Sequence, residues 1–140
     1  MKNGPIILIE DDLDDQEFIT DALKLSGIDN HIEIFDNGEK ALTYLLKSDQ
    51  QPFIILSDVN LPVMNGLQLK FEIQKNEYLR NKSIPFIFLS TSADAKAVQE
   101  AFELNAQGFF EKEITFEGIQ RQLEQIISYW KTSRHPNSNK

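Results

Sequence analysis

The sequence predicts an α/β fold of (βα)5 type, a doubly wound five-stranded parallel sheet with helices on both faces. Three observations predict it. Residues 6–9, 53–57 and 86–89 are uncharged and nearly all apolar, the composition of strands covered on both faces rather than the alternation of a half-solvated sheet. Between such runs, apolar side chains recur at three- and four-residue spacing, the period of helices packed on one side. The two patterns alternate from one end to the other, as repeated strand–helix–strand units require. No linker, repeat or low-complexity tract interrupts them, so one domain is expected over residues 1–131, followed by a polar tail, 132–140.

Each element has its own signal. Ile6-Ile7-Leu8-Ile9 is the first strand and runs into the acids Glu10-Asp11-Asp12-Leu13-Asp14-Asp15. The first helix carries Phe18, Ile19, Ala22 and Leu23 on one stripe, with Gly27 as its stop. Ile32-Glu33-Ile34-Phe35 is the second strand, closed by Asp36-Asn37-Gly38, and its glutamate places it at a sheet edge. Ala41, Leu42, Leu45 and Leu46 mark the second helix. The third strand delivers Asp58 into a loop holding Pro62 and Asn65-Gly66, before a third helix with Leu67, Leu69, Phe71 and Ile73. The polar bridge 75–83 reads as an ordinary loop.

Pro85 opens the fourth strand, where proline is tolerated, and Ser90 ends it. The fourth helix, 93–104, turns Ala97, Val98, Ala101 and Phe102 inward. Gly108-Phe109-Phe110 is the core of the fifth strand, which ends at Glu111-Lys112. The last helix is the clearest, with Phe116, Ile119, Leu123, Ile126, Ile127 and Trp130 on its stripe and Thr115 as its cap. From Thr132 onward the chain is polar, contains Pro136 and reads as frayed.

Composition excludes several classes of function. A formal net charge of -8 argues against nucleic acid as a direct partner, because phosphate backbones select basic surfaces. The chain has no cysteine, hence no disulfide framework and no thiolate metal site, which fits a cytoplasmic protein. No apolar stretch is long enough to span a bilayer or to serve as a secretory signal, so no membrane association is expected.

In a doubly wound sheet of flavodoxin-like order, 2-1-3-4-5, the first and third strands lie side by side, and ligands sit beyond their carboxyl ends. Glu10, Asp11 and Asp58 occupy those ends. Converging carboxylates repel one another until one takes up a proton; a divalent cation removes the conflict. All-oxygen donors suit Mg2+ better than zinc, and the backbone carbonyl of Asn60 is a further candidate ligand. Ser90 and Lys112 end the neighbouring strands. A hydroxyl and an ammonium facing a metal-bound carboxylate are the apparatus for stabilising a transferring phosphoryl group. Asp58 is then the nucleophile, and an aspartyl phosphate the product.

On these residues the chain resembles the receiver domain of two-component response regulators, over about residues 5–130. The resemblance rests on Glu10-Asp11 after the first strand, Asp58 with Pro62 and Gly66 behind it, Ser90, and Lys112. It implies that Glu10, Asp11, Asp58 and the Asn60 carbonyl hold Mg2+, and that Asp58 accepts phosphate from a sensor histidine kinase. Lys112 would pair with a phosphoryl oxygen, and Ser90 would swing toward it once it arrives. Phe109, at the position of the family's switching aromatic, would follow inward and alter the surface of the fourth helix, fifth strand and fifth helix, a two-state element.

The resemblance also implies catalysis limited to self-phosphorylation from a phosphodonor and autodephosphorylation. Output would pass through protein contacts, to a histidine phosphotransfer protein or a downstream target protein, from a monomer or weak homodimer. No effector domain follows Trp130, so a stand-alone receiver is expected. Asn60 and Ser92 stand where side chains of the family face the attacking water and influence phosphoryl lifetime. Two departures stand out. Glu113 follows Lys112 where the family carries a cis proline, so a trans bond is expected there, and Phe109 lacks the hydroxyl of the usual tyrosine.

Other readings are plainer. Asp14 and Asp15 read as solvated acids at the positive end of the first helix, and His31 and His135 as surface residues. A calcium loop from Asp12 fails, because Glu17 and Leu23 stand where it needs glycine and glutamate. A cofactor-binding reading lacks the phosphate loop that it needs after the first strand. The alternative is a receiver-like interaction module acting without phosphorylation; the complete set of acids argues against it, and Glu113 is the one feature that keeps it open.

Overall fold

The computed structural model describes residues 2–137. In chain order it contains β1 (Ile6–Ile9), α1 (Leu13–Leu25), β2 (Ile32–Phe35), α2 (Gly38–Lys47), β3 (Ile54–Ser57), α3 (Gly66–Lys75), α4 (Glu77–Lys82), β4 (Phe86–Ser90), α5 (Ala95–Glu103), β5 (Gly108–Glu111) and α6 (Phe116–Thr132). The strands form one parallel sheet in the order β2-β1-β3-β4-β5. β1, β3 and β4 are buried along their whole length, whereas β2, with Glu33 in its middle, lies at an edge and is partly exposed.

Successive strand residues point to opposite faces, and both faces are covered. Ile6, Leu8, Ile54, Leu56, Ile87 and Leu89 pack with α1 and α6 residues such as Ile19, Leu23, Leu123 and Ile127. Ile7, Ile9, Ile55, Phe86 and Phe88 pack on the other side with Leu45, Leu69, Ile73 and Ala101. This double burial is why the strands read as unbroken apolar runs, each buried Ile or Leu contributing about 1.5–3 kcal/mol.

Register places the site. Ile9 pairs with Ser57, so residues 10 and 58 leave the sheet together, and the Asp58 N–H still donates to the Ile9 carbonyl at 3.0 Å. The Lys112 N–H likewise donates to the Ser90 carbonyl at 2.9 Å, bringing the ends of β4 and β5 beside them.

Two local expectations are corrected. The bridge expected as a loop folds its residues 77–82 into α4, making six helices among the described residues rather than five. Asn76 caps it by accepting from the Leu79 N–H at 2.9 Å, Leu79 alone is buried, and Ser83 closes it in the left-handed region. A single apolar anchor leaves no helical period to read. The tail is also ordered as far as it is described. His135 is 2% exposed, its Nε2 hydrogen-bonds the Phe53 carbonyl at 2.7 Å, and its ring stacks on Phe53 with centroids 5.9 Å apart. His135 is therefore no surface residue; burial holds its pKa below the usual range, only partly offset by the bond to Phe53. Residues 138–140 lie outside the described residues. No helix among those described is long and apolar enough to cross a membrane.

Candidate functional site

An open cleft of about 730 Å3 lies beyond the ends of β1, β3 and β5, lined by Glu10, Asp11, Asp58, Asn60 and Lys112 among others. One carboxylate oxygen from each of Glu10, Asp11 and Asp58 lies within 4.8 Å of the others. Glu10 is buried, while Asp11 is exposed. Burial pushes the Glu10 carboxyl up to about 6; the hydrogen bond and charge of Lys112 pull it down, and the Asp58 charge adds to the rise. Crowded oxygens and a carboxylate reluctant to ionise fit a hard divalent cation, which would offset both the repulsion and the burial.

The two oxygens of Asp58 have different surroundings. Oδ1 accepts from the Ser90 hydroxyl at 2.6 Å, the Val59 N–H at 2.7 Å and the Asn60 N–H at 3.3 Å. Oδ2 faces Lys112 Nζ at 3.7 Å. The Ser57 hydroxyl donates to the Asp58 carbonyl at 2.8 Å. Ser90, expected to swing toward a phosphoryl group once it arrives, donates to the carboxylate itself here.

Lys112 is itself buried and pairs with Glu10 Oε1 at 2.6 Å and with Asp15 Oδ2 at 2.9 Å. Burial pulls the Lys112 pKa down, but the hydrogen bonds to Glu10 and Asp15 and the charges of Glu10 and Asp58 reverse this and raise it. Asp15 was expected to be solvated. Nothing in a run of acids distinguishes it from Asp14; only the approach of β5 to the start of α1 does.

Phe109 is half-buried in β5 and lies against Phe88, centroids 5.5 Å apart. The Asn60 side-chain amide donates to the Ser92 hydroxyl across the mouth of the cleft. No cis peptide occurs among the described residues, so the bond between Lys112 and Glu113 is trans. Gln122 of α6 pins that loop: its amide donates to the Glu111 carbonyl at 2.6 Å and its oxygen accepts from the Glu113 N–H at 3.2 Å. Gln122 reads in the sequence only as a polar helix residue. His31, by contrast, lies on the surface, paired with Glu33.

Residues 6–124 match the family model described as "Response regulator receiver domain". Response regulator Rcp1 of Synechocystis sp. is 30% identical over 130 residues, covering 89% of this chain and 87% of that protein. The crystal structure of the phosphorylated cyanobacterial phytochrome response regulator RcpA superposes with a TM-score of 0.87 at 26% identity, covering 94% of this chain and 97% of that one. The Mn2+-bound form of Rcp1 superposes with a TM-score of 0.84 at 29% identity, covering 94% and 98%. A parallel sheet in the order 2-1-3-4-5, an acidic cluster at its switch point and these similarities agree: the chain belongs to the response regulator receiver domain family of two-component signalling.

Proposed function

We propose that this receiver accepts a phosphoryl group on Asp58 from a phosphohistidine of a sensor histidine kinase, with Mg2+ present. The phosphorylated chain then acts in the cytoplasm through protein contacts or onward transfer to a histidine phosphotransfer protein. The observation that carries this reading is the asymmetry of Asp58. Three donors hold Oδ1, while Oδ2 faces Lys112 across 3.7 Å. Oδ2 attacks phosphorus; the new O–P bond forms as the P–N bond of the donor breaks, and the imidazole leaves with the electron pair and takes up a proton. The Lys112 ammonium and the Ser90 hydroxyl meet the charge on the transferring oxygens. Glu10, Asp11, Asp58 and the Asn60 carbonyl would hold Mg2+, which when bound neutralises charge on the phosphoryl oxygens. Ser90 and Phe109 would bias the surface of α5, β5 and α6 between two states. That RcpA was solved phosphorylated, and Rcp1 with Mn2+, supports both the acceptor and the metal.

The test is intact mass after incubation with acetyl phosphate and Mg2+. One added phosphoryl group is expected, absent without the cation and absent in Asp58→Asn. No adduct in the unsubstituted chain under cold, rapid quenching would refute the reading.

A further inference from the structure

We propose that Asp15 is a positioning residue for phosphoryl transfer. By holding Lys112 from the α1 side, it keeps the ammonium off Asp58 and aims it at the place a phosphoryl oxygen takes. The inference rests on the phospho-acceptor reading above.

A lysine ammonium has three N–H donors on a flexible stem. Two are held here, by Glu10 Oε1 at 2.6 Å and Asp15 Oδ2 at 2.9 Å. The remaining approach, to Asp58 Oδ2 at 3.7 Å, is longer than a hydrogen bond. Glu10 alone is a single contact about which the ammonium can swing. Released on the α1 side, it would close on Oδ2 and occupy the lone pair that has to attack phosphorus. Glu10 also belongs to the carboxylate group suited to a cation, so its hold on the lysine is shared with that cation. Asp15 lies outside that group and is free to hold the lysine throughout. It is also firmly based: its N–H donates at 2.9 Å to the Asp12 carboxylate that caps α1.

The test is the rate of adduct formation in the full chain with acetyl phosphate at saturating Mg2+. Asp15→Asn keeps size and loses charge, and a misplacement of about 1 Å in a positioned group costs up to about 100-fold, so a slowing of roughly tenfold is expected, with Asp15→Glu restoring most of it. Asp14→Asn removes the same charge one residue away, from an exposed side chain, and should leave the rate unchanged. The Lys112 15Nζ signal, read without any phosphodonor, should be sharp in the parent and Asp15→Glu and exchange-broadened in Asp15→Asn. Equal rates in parent and Asp15→Asn, or equal slowing in Asp14→Asn, would overturn the proposal while leaving the acceptor reading intact. No adduct in the parent would remove both.

Discussion

Gly66, the first residue of α3, lies directly beneath the acceptor. Its N–H donates to the Val59 carbonyl at 2.9 Å, folding the loop under Asp58. A Cβ at this position would lie 2.2 Å from the Asp58 carbonyl oxygen, 2.9 Å from Phe88 Cε1 and 3.1 Å from Ser57 Oγ. An ordinary C···O contact begins at about 3.3 Å, so in Gly66→Ala the Asp58 backbone has to recede by about 1 Å. No rotamer change relieves a clash with backbone, and Phe88 is fully buried against Phe109. Overpacking costs about 1–3 kcal/mol, and because Gly66 is the first residue of α3 rather than an interior one, the helix propensity of alanine offsets little of that loss. The functional loss is larger. A shift of about 1 Å pulls Oδ1 away from its three donors and turns Oδ2 off line, a misplacement worth on the order of 100-fold in rate. Urea unfolding measures the first effect, and the time course of adduct mass with acetyl phosphate measures the second. A variant as stable as the parent would refute the packing argument. A destabilised variant phosphorylated at the parental rate would refute the dependence on placement.

Three further outcomes are expected. A cation has to displace the proton of Glu10, held at about 6, so Mg2+ affinity by calorimetry should fall about tenfold per pH unit below that value and level off above it; a flat profile matching Glu10→Gln would refute this. His135→Ala should cost about 1–3 kcal/mol at pH 7.5, from the lost bond to Phe53 and the lost ring stack. Because the folded pKa of His135 lies below 6.5, the folded chain binds that proton less readily than the unfolded chain. Its contribution is therefore present above 6.5 and lost as pH falls below it, so parent and variant should converge in urea unfolding at acid pH. Replacing the Asn60–Ser92 bridge with Asn60→Lys and Ser92→Glu should shield phosphorus from water and lengthen the phosphoryl half-life about tenfold; unchanged decay would count against it.

Most of the frame was legible because burial leaves a local trace. β1, β3 and β4 are covered on both faces and so carry no charge, and the first polar residue after each of β1 and β3 marks where the chain leaves the core. The stripe of α6 was equally plain, and Thr115 does cap it, accepting from the Gly118 N–H at 3.0 Å. Where burial is partial, its trace in the sequence is weaker. Phe18 and Phe102 were placed on inward stripes but lie at their margins, 43% and 50% exposed. α4 carries one buried side chain, too few for a period.

The alternation of buried runs and amphipathic stretches, a local property, was enough to set the strands, the sheet class and the carboxyl ends where Glu10, Asp11, Asp58, Ser90 and Lys112 stand. Tertiary structure alone decided which side chains meet there. Asp14 and Asp15 are chemically the same, yet one is exposed while the other grips an ammonium 97 residues away. His135 has a polar neighbourhood in sequence and finds its burial against Phe53, 82 residues before it. Hydrophobic pattern records how far each residue is removed from water, but the partner it meets depends on how distant elements pack.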